Sequence, residues 1–268
     1  MVEVDDKFVD VDFAVEAQKH NRLMGALPRK LLYGAAGAPK YKDVENLIPD
    51  AEWPGLIKRY ESQYGVIAPF ISRIYDQNGE PSCVSNAFCQ AHEIKQAQIL
   101  GKENVTHLSA INLYERVGSR GSGSSLDDNM REMTSRGVLP LDNDRNKTKF
   151  KHVAPANGYG RAHPSGWEET AKLFQNAEWA DIDSLAEFMT ALLKGQPVIY
   201  ARSGHCILAV LPVLKGSSLY CGYCNSWGQW GIKINMEFDY GLGLDSQRIM
   251  SGGGMALRSI KLPQELMP

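Results

Sequence analysis

"DQNGEPSCVSNAFCQAHE", residues 76–93, is the stretch on which the fold turns. It opens as a loop, because Asp76, Asn78, Gly79 and Pro81 are all turn formers. From Cys83 it becomes an apolar run without glycine or proline, which reads as a helix. A cysteine in the first turn of a helix sits at the positive end of the dipole, beside unpaired backbone N–H groups, and both favour thiolate over thiol. A small buried hydrophobe capping a core suits the same position, and position alone does not separate the two.

Outward from this stretch, residues 51 to 137 read as mainly helical. "LSAINLYERVG" (108–118) is a second helix, and "SSLDDNMREMTSRGV" (124–138) is a third, with serine at its start and Asp127 and Asp128 in its first turn. A loop-rich middle (138–166) leads to one more helix over 182–194, stopped by Gly195 and Pro197. The pattern then changes to strands: "PVIYA" (197–201), "HCILAVLPVL" (205–214), "SLYCGYCNSW" (218–227), "GIKINMEF" (231–238) and "MALRSIKL" (255–262). Helices first and strands later give an α+β protein with a helical lobe against a β lobe. Residues 1–50 read as an N-terminal arm, with a helix over 11–24 and the turn-rich connector "YGAAGAPKYKD" (33–43). The catalytic body is expected at 51–268, its helical lobe at about 51–140 and its β lobe at about 141–268.

Composition narrows the function classes. A net charge of −2 and a pI near 6.3 argue against a general affinity for nucleic acid or an anionic membrane. The basic run "RNKTKFKH" (145–152) reads as a solvated loop. The acidic opening "MVEVDDKFVDVDF" is unlike a secretory signal, so the expected location is the cytosol, or a virion if the chain is phage-encoded. Five cysteines (83, 89, 206, 221, 224), odd in number and irregular in spacing, point to free thiols. Cys221 and Cys224 form a CxxC on a strand, where positions three apart face opposite sides, and no second ligand pair follows at zinc-site spacing. They read as structural thiols, and neither metal nor other cofactor is expected.

The second half of the chain supplies partners for a catalytic thiol. His205 begins a strand and Asn225 ends the next one. In a Cys–His–Asn set the imidazole takes the thiol proton and the asparagine amide fixes the ring's tautomer and orientation. Gln77, six residues before Cys83, is placed to join the Cys83 N–H as an oxyanion donor.

These pieces resemble the papain-like cysteine peptidases. The matching segments are "DQNGEPSC", "GSGSSLDDNMREMTSRGVLP", "GQPVIYA", "GHCILAV" and "NSWGQWG", in the family's order across roughly residues 60 to 250. The resemblance implies a two-lobed fold, with a helical left lobe carrying Cys83, a β-barrel-like right lobe carrying His205 and Asn225, and a cleft between them. It implies backbone pairing of an extended substrate at Gly123 and Ser124, an apolar pocket at Leu126, and Trp227 as a shield over the Asn225–His205 bond. It implies a lowered thiol pKa at Cys83 and a peptide or protein as partner. The chain departs from the pattern at Val84, where the family often has tryptophan, and at Glu80 and "GSGSS", where both halves of a family disulfide are missing. Only "RSG" joins "PVIYA" to His205, so one rim of the cleft should be trimmed.

The expected function is thiol-dependent peptide hydrolysis. The alternatives are the same triad acting on a cell-wall stem peptide or an isopeptide, and a non-catalytic protein that keeps the fold as part of a larger assembly such as a phage particle. The arm, short and turn-rich, is expected on a lobe's outer surface, leaving Cys83 open to a cleft-directed inhibitor without processing.

Overall fold

The long helix that starts at Cys83 is buried from that residue to Ile94, so it needs no single apolar stripe. It is the axis about which the other elements pack. The computed structural model describes residues 11–29, 38–161, 163–228, 232, 242–245 and 253–267. The helices are α1 (Phe13–Lys19), α2 (Tyr41–Val44), α3 (Trp53–Tyr60), α4 (Cys83–Leu100), α5 (Ala110–Val117), α6 (Leu126–Ser135), α7 (Glu168–Ala171) and α8 (Leu185–Leu193). The strands are β1 (Asn176–Ile182), β2 (Val198–Arg202), β3 (His205–Lys215), β4 (Ser218–Cys224), β5 (Leu242–Leu244) and β6 (Gly254–Ile260). They form one antiparallel sheet in the order β1-β6-β2-β3-β4-β5.

Helix α4 packs on α5 and α6 on one side and on β2, β3 and β6 on the other. Its one buried acid, Glu93, is neutralised where it lies: Arg73, His107, the Tyr75 hydroxyl and the Leu108 N–H all converge on it at 2.6 to 3.2 Å. Removing any one of these partners would leave a buried charge short of compensation. Helices α5 and α6 are capped as their sequences require, Ser109 accepting from the Asn112 N–H and Ser125 from the Asp128 N–H. The short "RSG" connection is resolved by a two-residue hairpin: Ser203 and Gly204 both take positive φ, 50° and 79°, the geometry that matches strand twist.

The arm departs from expectation. Its helix ends at Lys19, and the backbone donors beyond Met24 go to distant partners instead of to carbonyls four residues back. Farther on, residues 39–48 are fixed to the β lobe. Pro39 O accepts from Asp181 N–H, Lys40 pairs with Asp183 at 3.2 Å, and Ile48 N–H donates to Thr190. Glu45 gathers Lys194, Gln196 and Arg258, whose hydrogen bonds, set against the cost of burial, hold its carboxyl down to about 2.

Four elements escaped the sequence reading: α2, α7, β5 and the edge strand β1, which pairs with β6 some eighty residues downstream; α3 lies in the stretch read as mainly helical but was not singled out. The strand expected over 231–238 lies outside the described residues, apart from Ile232, whose N–H donates to Tyr223 O. Among the described residues, no helix is long and apolar enough to cross a membrane.

Candidate active site

Cys83 is the first residue of α4, His205 the first of β3, and Asn225 follows the last residue of β4. Adjacent pairing of β3 and β4 is what brings the last two together, and His205 Nε2 lies 2.8 Å from Asn225 Oδ1. An amide oxygen accepts, so the ring proton is on Nε2 and the lone pair is on Nδ1. Nδ1 is buried and has no hydrogen-bond partner among the described residues. Trp227 lies against the imidazole with ring centres 4.5 Å apart.

Gln77 is held across the lobes. Its N–H donates to Ser226 O at 2.7 Å, and the Ser226 hydroxyl donates to its side-chain oxygen at 2.6 Å. That leaves Nε2 pointing away from Ser226, one hydrogen on Glu80 O (2.7 Å) and the other on Leu23 O (2.8 Å). Ser226 was not singled out in the sequence, though it belongs to "NSWG". Gly123 and Ser124 are supported from beneath. The Tyr114 hydroxyl donates to Ser119 O and accepts the Gly123 N–H, while Asn129, itself held by Ser85, donates to Ser124 Oγ. Leu126 is wholly enclosed in the core.

The arm does not lie on an outer surface, as the sequence reading expected; it lies over this constellation. The Gly25 N–H points at the Cys83 sulfur, together with the backbone N–H groups of Cys206, Val84 and Cys83 itself. Ser124 N–H donates to Gly25 O (2.8 Å), Leu27 N–H to Ser124 O (3.0 Å) and Ala26 N–H to Gly204 O (2.9 Å), so the arm is hydrogen-bonded on both flanks. Phe13 closes over His205 with ring centres 4.9 Å apart. Arg22 pairs with Asp76 at one end, and Arg29 with Asp127 and Asp181 at the other. The physical reason is hydrogen bonding. A short turn-rich segment cannot satisfy its own backbone, but the unpaired edges at Ser124 and Gly204 can.

Glycine is required at this crossing. A Cβ on Gly25 would fall on the Pro81 carbonyl, and one on Gly123 would fall on the Gly25 carbonyl. The arm also offers the wrong atoms for reaction. The sulfur meets an N–H, and the carbonyl held by Gln77 belongs to Leu23, two residues upstream.

Burial under the arm reverses the thiol chemistry expected at a helix start. Loss of water pushes Cys83 up to about 11 in spite of the four N–H groups, and pushes His205 down to about 4 against the Asn225 bond. The helix-dipole argument gave a lowered thiol pKa and is corrected here, because desolvation outweighs it. All five cysteines are free and buried, so with the arm seated none is a ready thiolate.

A pH dependence follows. His205 binds its proton less readily under the arm than at its ordinary 6.5, so seating is fully stable above 6.5 and weakens about tenfold per unit as pH falls toward 4. Cys83, raised from 9.0, weakens seating only above pH 9. Hydrogen-exchange protection of the Ala26 and Leu27 amides, corrected for intrinsic rates, should therefore be greatest between about 6.5 and 9 and fall on acidification. Constant protection from pH 7.5 to 4.5 would count against it.

No protein-family model and no curated protein sequence matches the chain. Solved structures do match its backbone. Procathepsin L2 from the larval midgut of Tenebrio molitor is 14% identical over 95% of this chain and 84% of its own, with a TM-score of 0.62. The proCathepsin B S9 of Trypanosoma congolense is 12% identical over 92% and 90%, at 0.57. Xylellain, a cysteine protease from Xylella fastidiosa, is 15% identical over 90% and 96%, at 0.55. The fold is papain-like, α+β, with a helical lobe set against a sheet.

Proposed function

We propose that the chain is a thiol peptidase held latent by its own arm, with residues 51–268 as the catalytic body. The observations that carry this are a Cys83 at a helix start whose sulfur faces the N–H of Cys206, the neighbour of His205, a His205 whose Nε2 is taken by Asn225, and a Gln77 amide already donating to a peptide carbonyl.

With the arm gone, His205 Nδ1 takes the Cys83 proton and the sulfur attacks the scissile carbonyl carbon. The oxygen moves into the place now held by Leu23 O and is stabilised by Gln77 Nε2–H and the Cys83 N–H. Imidazolium returns its proton to the leaving amine, and the C–N bond breaks. Water, deprotonated by His205, then releases the acid and frees the thiol. Asn225 keeps the ring in the tautomer that leaves Nδ1 basic. Gly123 and Ser124 pair with the substrate backbone. To offer its carbonyl carbon to the sulfur and its oxygen to Gln77, the substrate runs opposite to the arm.

An epoxysuccinyl peptide should label Cys83 once the arm is displaced, and a mixed peptide library should be cut. Failure of both in a folded chain with a displaced arm would overturn the reading. In a Gly25→Val background, Gln77→Ala should lower kcat on the order of a hundred- to a thousandfold while changing KM little. An unchanged kcat would remove Gln77 from the oxyanion site.

A further inference from the structure

Arg29 is held more closely than a surface arginine. Its Nε and Nη2 reach both oxygens of Asp127, at 2.6 to 3.3 Å, and Nη2 also lies 2.8 Å from Asp181 Oδ1. The two carboxylates come from different parts of the fold, Asp127 from the first turn of α6 and Asp181 from β1. The arginine stem lies along Gly253, where a Cβ would stand 3.1 Å from its Cδ. All three charged side chains are about four-fifths covered, at 17 to 21% exposure. The slot is therefore shaped for a long side chain with a planar cationic head.

Removing the arm empties this slot and leaves two partly buried carboxylates facing each other with no other cation paired to them among the described residues. Asp183 adds a third negative charge nearby, and Lys40 is engaged on Asp183. Burial already pushes the Asp181 carboxyl up, against the pull of Arg29, so without the guanidinium its ionised form is less favourable still.

We propose that Asp127, Asp181 and Gly253 form a recognition subsite for an arginine or lysine side chain of the peptide that replaces the arm. The inference rests on the peptidase reading for its place in the reaction. Arg29 is four residues beyond Gly25, which crosses the sulfur. With the substrate running the opposite way, the basic residue stands about four residues before the scissile bond, some 13 Å away in an extended chain. Arginine is preferred over lysine, because the fork of donors meets two carboxylates at once.

The test separates binding from chemistry. Peptides that differ only by arginine or alanine at each position in turn are titrated against the full chain carrying Gly25→Val and Cys83→Ala. The same peptides are assayed for cleavage with Gly25→Val alone. Arginine about four residues ahead of the scissile position should tighten binding at least about tenfold over alanine. Asp127→Asn with Asp181→Asn should erase that difference, so that the arginine and alanine peptides bind alike. Equal binding of the two peptides, or a preference that survives in the double variant, would overturn the subsite. A preference that holds while no peptide is cut would sink the peptidase reading and leave the subsite standing.

Discussion

Gly25→Val should raise the rate at which a cleft-directed reagent labels Cys83 in the full chain by on the order of a hundredfold. The argument is steric. A side chain at residue 25 would meet the Pro81 carbonyl, which is backbone and cannot rotate aside. The clash therefore falls on the seated arm and not on the cleft. Once Gly25 lifts, its N–H leaves the sulfur, the pairing with Ser124 is lost, and water returns to Cys83 and His205. Gly79→Ala, on the exposed loop before the nucleophile with open space around it, serves as the control and should change nothing. If the valine chain labelled no faster than the parent, the arm would not be what shields the thiol.

Cys83→Ala in the Gly25→Val chain should lower peptide hydrolysis on the order of a millionfold, the scale seen when a covalent nucleophile is removed. Stability should change by no more than about 1 kcal/mol, since one sulfur leaves a small void. The other cysteines give the contrast. Cys89, Cys206, Cys221 and Cys224 are as buried as Cys83, so alanine at any of them should cost stability to a similar degree and leave kcat near its starting value. Residual hydrolysis in the Cys83→Ala chain, blocked by none of the thiol reagents, would reassign the nucleophile.

The parts legible in the sequence were those governed by local rules. The turn formers ahead of Cys83 mark where α4 starts, and Gly101 marks where it stops. The shortness of "RSG" was legible as a trimmed connection, and the structure closes it as a hairpin that fixes where His205 stands. The parts not legible depend on distant partners. Strand β1 has an irregular burial pattern and bulges at Glu178, so it lacks clean alternation, and among the described residues its only strand partner is β6. The arm's path is set by edges at Ser124 and Gly204, which a local reading of residues 11 to 29 cannot see. The thiol pKa failed for the same reason. A helix start is local, whereas the burial that outweighs it comes from the arm.

The fixing of residues 39–48 to the β lobe gives the arm a property that its contacts alone do not. Seated over the thiol at Gly25 and fastened again from Pro39 onward, the arm competes for the cleft from a confined volume, in effect at millimolar local concentration. A segment that as a free peptide bound with a Kd of about 1 µM would then leave the cleft vacant only about one part in a thousand. Diluting the intact chain would not change that fraction, since the competition is unimolecular. Severing the chain between the two attachment points would make it bimolecular, and the same arm, with every contact intact, would be lost below about micromolar concentration.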